Sequence, residues 1–126
     1  MKIIGFIIFL LLSVVPFHVF ADGFLSGDTI KSTFEGNTYH WKHMKVDTSG
    51  KSYLDPSGKA IGERNGKARK GTWKIVSNQI CIKYDEDKQP TCRNIEKDQK
   101  DGTFYIIHPS KGRLVQITSV ESGNTI

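Results

Sequence analysis

Beyond residue 21 the sequence has no long apolar run, and it has few of the residue types that announce chemistry. Its 126 residues include 2 cysteines, 4 prolines, 2 tryptophans and 4 histidines. Two cysteines are too few for a disulfide-dense scaffold or a four-thiolate zinc site. Four prolines exclude collagen-like and proline-rich chains. Acid is the scarcer charge, with 13 Asp and Glu against 18 Lys and Arg, and the net charge is +5. That balance favours anionic partners. The phosphate-cradling patterns G-x-x-x-x-G-K-[ST] and G-x-G-x-x-G are missing, as is the nucleophile elbow G-x-S-x-G. Asp85-Glu86-Asp87 lacks the full alternation of Asp or Asn and the glycine of a calcium loop and reads as a solvated hairpin tip. No catalytic residue, cofactor or metal is assigned on these grounds. Nucleic acid is not expected as a partner, because no aromatic-basic RNA-binding motif is present.

The first 21 residues are unlike the rest, since 16 of them are apolar. Lys2 supplies a positive start, Ile3–Val15 an apolar core, Pro16 a break, and Val19-Phe20-Ala21 the small or medium residues at −3 and −1 of a cleavage site. This layout predicts a secretory signal peptide over residues 1–21, removed after Ala21. The apolar core is shorter than the ~20 residues of a membrane-spanning helix, so no stable membrane anchor is expected. Residues 22–126 are left as a single β-rich domain that is periplasmic or secreted. In such an oxidising compartment Cys81 and Cys92, separated by the turn-rich stretch Tyr84–Pro90, are expected to pair.

One helix is legible after the leader. Ser26 caps Gly27–Glu35, Asp28 suits the first turn, Ile30 and Phe34 share a face, and Gly36 stops it. The remainder alternates in the manner of strands: Thr38–Val46, Ser52–Leu54, Lys67–Val76, Gln79–Tyr84, Thr91–Lys97, Thr103–His108 and Arg113–Val120. Gly50-Lys51, Gly58-Lys59 and Gly66-Lys67 recur every eight residues, the length of one turn plus one short strand. The predicted fold is α+β and mostly β. It is an antiparallel meander or small barrel-like sheet of about seven to eight strands, with one short N-terminal helix. Gly71-Thr72-Trp73 matches the G-x-W that opens a lipocalin barrel. The chain left after Trp73 is too short for eight strands, so the tryptophan is expected to pack in the core.

His40-x-x-His43 lies in strand-like sequence, where the two rings point to opposite faces and cannot share a metal. Lys59–Lys74 is densely basic. From it and its neighbouring hairpin come the candidate anion-binding residues Lys51, Lys59, Arg64, Lys67, Arg69 and Lys70. The leading expectation is a non-catalytic binding domain that presents basic hairpins to an anionic envelope component or an acidic protein. A second expectation is an inhibitor of a host hydrolase such as lysozyme, inserting the Ser49–Tyr53 hairpin into an acid-lined cleft. A third is an enzyme that brings Asp55 or Glu63 together with His40 or His108.

The order of landmarks carries one resemblance. LSGDTIKSTFEGNT, YLDPSGKAIGE, GTWKI, QICIKY, PTCRNI, GTFYII and the closing SGNT span Leu25–Thr125. In this order they resemble a family of small exported bacterial proteins known only as a domain of unknown function. The resemblance implies a periplasmic or secreted β-rich domain with a structural Cys81–Cys92 bond, and it implies no activity.

Overall fold

The structure, a computed structural model, describes residues 23–126; the predicted leader lies outside the described residues. The helix forms where its signals stand. Ser26 accepts the Thr29 backbone N–H, and α1 runs over Gly27–Phe34. It ends one residue before the predicted Glu35, at a Gly36 whose φ of +77° few side chains tolerate.

Eight antiparallel strands follow: β1 Asn37–His43, β2 Ser49–Leu54, β3 Lys59–Arg64, β4 Lys67–Val76, β5 Gln79–Tyr84, β6 Thr91–Lys97, β7 Phe104–His108 and β8 Gly112–Ser122. Each pairs with the next, and β1 also pairs with β8, so the sheet closes into a barrel without open edges. The eight-residue echo resolves into β2 and β3 and the turns around them. Between β3 and β4, Asn65 and Gly66 both take positive φ (49° and 84°), the conformation of a tight hairpin matched to strand twist. Trp73 is a core residue of β4, and its indole N–H donates to the Asp55 carbonyl at 2.7 Å.

The barrel has two unlike ends. Helix α1 plugs one of them: its first N–H donates to the Asn78 side chain between β4 and β5, and Ile30 and Phe34 are fully buried. Phe34 meets Tyr39 and Phe104 edge to face, at centroid distances of 5.5 and 5.4 Å. Around this plug sits the core of Leu54, Ala60, Trp73, Ile80, Ile95 and Ile117. The opposite end carries the β1–β2, β3–β4, β5–β6 and β7–β8 connections. Lys59, Lys70 and Lys74 take the outward positions of β3 and β4 and are exposed, which makes that part of the outer wall a charged surface facing water.

Glycine permits the tight curvature. A Cβ on Gly71 would run into the Lys83 carbonyl of β5, and one on Gly50 into the Glu63 carbonyl of β3. The Cys81–Cys92 disulfide joins directly opposed residues of β5 and β6. No described helix is long and apolar enough to cross a membrane.

Closing a loop of this size stabilises the native state by about 3 kcal/mol on the chain-entropy account. Cys81→Ala/Cys92→Ala is therefore expected to lose about that much in urea unfolding, and reduced wild-type protein to match it. An unchanged midpoint in both would show that barrel closure alone fixes the β5–β6 hairpin.

Candidate functional site

The inner face of the barrel is built by alternation. Tyr39, Ser52, Gly62 and Arg69 are successive cross-strand neighbours from β1 to β4 and form one row. Tyr84, from β5, leans across the lumen onto this row. Its hydroxyl lies 3.1 Å from the Ser52 hydroxyl, and the Arg69 guanidinium stacks on its ring at 3.8 Å from the centroid. Gly62 makes the crossing possible, since a Cβ there would come within 2.6 Å of the Tyr84 oxygen. Burial, together with the neighbouring phenol of Tyr84, pushes the Tyr39 hydroxyl well above the usual phenol range. Burial likewise raises Tyr84. Both phenols stay neutral at physiological pH and keep their protons for hydrogen bonding.

Tyr39, Ile80 and Tyr84 border both a packed core and a cavity. Toward α1 lies the packed core; toward the other end lies a cavity of about 270 Å³. Trp41, Ile80, Ile82, Ile106 and Val115 give it apolar walls. Arg64, Arg69 and Arg93 bring three positive charges to the same space, with Asp87 the one carboxylate among the lining residues. Arg69 donates from Nε to Glu86 at 2.8 Å and is only 17% exposed, whereas Glu86 is 57% exposed. The Glu86 backbone N–H and the Arg69 guanidinium hold the Glu86 carboxyl below its usual range. Arg93 donates to the Cys92 carbonyl. Among the described residues neither Arg64 nor Arg93 forms an ion pair. Arg113, on β8, makes the contrast plain, because it binds both Glu96 and Asp98 and lies over Tyr105.

Strand parity divides the six basic residues singled out from the sequence. Arg64 and Arg69 flank the β3–β4 hairpin and line the cavity. Lys51 lies on the outer wall, between His40 and Glu63 of the adjoining strands. Lys59 and Lys70 are exposed outside, and Lys67 is exposed at the hairpin. Sequence reading did not single out Arg93, Tyr84, Ser52 or Tyr39. The signal was parity: Arg69 shares its face with Gly71, Trp73 and Ile75, and Arg93 shares its face with Ile95.

The other groupings do not assemble. His40 pairs with Glu121 at 2.7 Å on the outer wall, while His43 lines the cavity and accepts the Lys45 and Val46 N–H groups. Asp55 accepts from Ser57 and Tyr53 in the turn between β2 and β3, and His108 accepts from Ser110 and Lys111 after β7. None of Asp55, Glu63, His40 and His108 lines the cavity. Ser49–Tyr53 is part of β2, hydrogen-bonded to β1 on one side and β3 on the other.

The Tyr84 crossing is testable as a coupled pair. Gly62→Ala overpacks the lumen and is expected to cost about 1–3 kcal/mol. Tyr84→Phe leaves the Ser52 hydroxyl without its partner, at a cost of about 1–2 kcal/mol. The double variant should cost less than the sum, because removing the hydroxyl removes the nearest of the atoms the new methyl would strike. Strict additivity in urea unfolding would mean that Tyr84 does not lie against Gly62.

Comparison of the chain with protein-family models, with curated proteins and with solved structures returned no match.

Proposed function

We propose that this protein is an exported, non-catalytic binding domain that captures an anionic group at the open end of its barrel, with Arg64, Arg69 and Arg93 as the charge donors. The observation that carries this reading is the concentration of three guanidinium groups on one cavity, where Asp87 is the one lining carboxylate and Glu86 pairs with Arg69 alone. Arginine suits the role, because its planar fork matches carboxylate and phosphate oxygens two at a time. Low-dielectric walls on the inner side strengthen the attraction relative to a flat basic surface. The lysines of the outer wall then contribute net charge and solubility. Export is supported by the leader-like first 21 residues and by the Cys81–Cys92 bond, which persists in oxidising compartments.

The test is a two-dimensional NMR titration with sodium acetate that follows the arginine Nε–H signals. Shifts are expected at Arg64, Arg69 and Arg93, in the millimolar range. They should vanish for the remaining arginine signals in the single variants Arg64→Gln and Arg93→Gln, or weaken at least severalfold. Lys51→Gln/Lys59→Gln/Lys70→Gln should leave them unchanged. Shifts spread evenly over the lysine-bearing outer wall, or insensitive to the arginine variants, would contradict the reading.

A further inference from the structure

An anion alone does not account for what lies beneath the arginines. A site for acetate, phosphate or sulfate needs donors on all sides of a polar pocket. Here the cavity continues inward between Trp41, Ile80, Ile82, Ile106 and Val115, and apolar surface dominates its lining. Closed eight-stranded barrels have interiors just wide enough to be filled by side chains or to hold one small ligand. In this barrel the α1 end is filled and the other end is not.

Three further features narrow the occupant. The volume of about 270 Å³ corresponds to roughly ten non-hydrogen atoms, at about 30 Å³ for each water-sized atom. That is too small for a two-chain lipid or a polymer segment and suits one short chain. The inner lining carries three neutral hydroxyls and no further charge, with Ser52 and Tyr84 hydrogen-bonded to each other and Tyr39 beside them. The guanidinium of Arg69 already engages a carboxylate, since Glu86 reaches it from the exposed β5–β6 connection. A ligand carboxylate arriving beside it meets a group oriented for that chemistry, with Arg64 and Arg93 carrying no ion pair among the described residues.

We infer that the barrel binds a single-chain amphipathic carboxylate of about eight carbons, with its head among Arg64, Arg69 and Arg93 and its tail against the isoleucines. This rests on the anion-binding reading above and adds the ligand class. The free energy of binding then comes from two separable sources: charge-assisted hydrogen bonds at the head and apolar burial along the tail.

A chain-length series measured by titration calorimetry on the disulfide-bonded protein separates them. The probes are sodium acetate, butyrate, hexanoate, octanoate and dodecanoate, with neutral 1-octanol as control. Affinity is expected to rise by up to about fourfold per added methylene, the factor that about 0.8 kcal/mol per buried CH₂ represents. The rise should stop near octanoate, where the cavity is full, and 1-octanol should bind at least tenfold more weakly than octanoate. Equal affinity for acetate and octanoate would overturn the ligand class and leave the anion site standing. A rise that continues unchanged through dodecanoate would overturn it too, because that is adsorption to an open surface. Binding of 1-octanol as tight as that of octanoate would overturn the arginine reading itself, and absence of binding across the whole series would overturn both.

Discussion

The lean of Tyr84 across the barrel lumen is the contact on which the rest of the interior depends. It takes a phenol from β5 to a serine on β2, over a glycine on β3 and under an arginine on β4. Each partner answers a separate physical demand. The buried hydroxyl requires a hydrogen-bond partner, and Ser52 supplies it. The ring requires space on the facing strand, and the missing side chain of Gly62 supplies that. The guanidinium of Arg69 requires something better than bare hydrocarbon beneath it, and the π-face of Tyr84 meets that need. Core and cavity meet at shared walls, Tyr39, Ile80 and Tyr84. The side toward α1 is packed with Phe34, Ile30 and Leu54, all essentially free of solvent contact. The other side remains a cavity.

Much of the architecture was legible in the sequence because it is governed by local rules. Ser26, Asp28 and Gly36 mark the helix, and they act within one turn of where they stand. Asn65-Gly66 specifies its hairpin through backbone sterics alone. β3 was the hardest strand to see, since Lys59-Ala60-Ile61-Gly62-Glu63-Arg64 carries only two obvious apolar side chains. Its presence was signalled by the eight-residue spacing of Gly50, Gly58 and Gly66 rather than by hydrophobicity. Those intervals leave room for a turn and a strand and nothing else. Closure into a barrel was less accessible, because the pairing of β1 with β8 joins residues about eighty apart in the chain, as His40 and Glu121 show.

The site was legible only in part, and parity explains why. A basic cluster in a sequence looks uniform, whereas a strand sends successive residues to opposite faces. Lys70 and Arg69 are neighbours in the chain, yet one is solvated on the outer wall and the other lies over Tyr84 inside. The density of charge in Lys59–Lys74 therefore pointed to the β3–β4 hairpin without separating the residues that share the cavity from those that do not. Arg93 stood outside that cluster and comes to the cavity from β6, a strand distant in the fold from β3. Only the three-dimensional arrangement could bring it together with Arg64. Tyr39 and Tyr84 had the appearance of ordinary core aromatics, and their polar ends acquire meaning only through the cross-strand row they complete.

What emerges is a barrel whose two ends obey opposite rules, one filled by a helix and the other left open beneath cationic side chains. The most direct check of that asymmetry is where a bound tail sits. Intermolecular NOE measurements between the terminal methyl of octanoate and the isotope-labelled protein should connect it to the methyl groups of Ile80, Ile82 and Ile106, with the α-methylene nearer Arg69 and Arg93. Contacts instead to Val76 or other outer-wall residues, with none to the three isoleucines, would contradict the account.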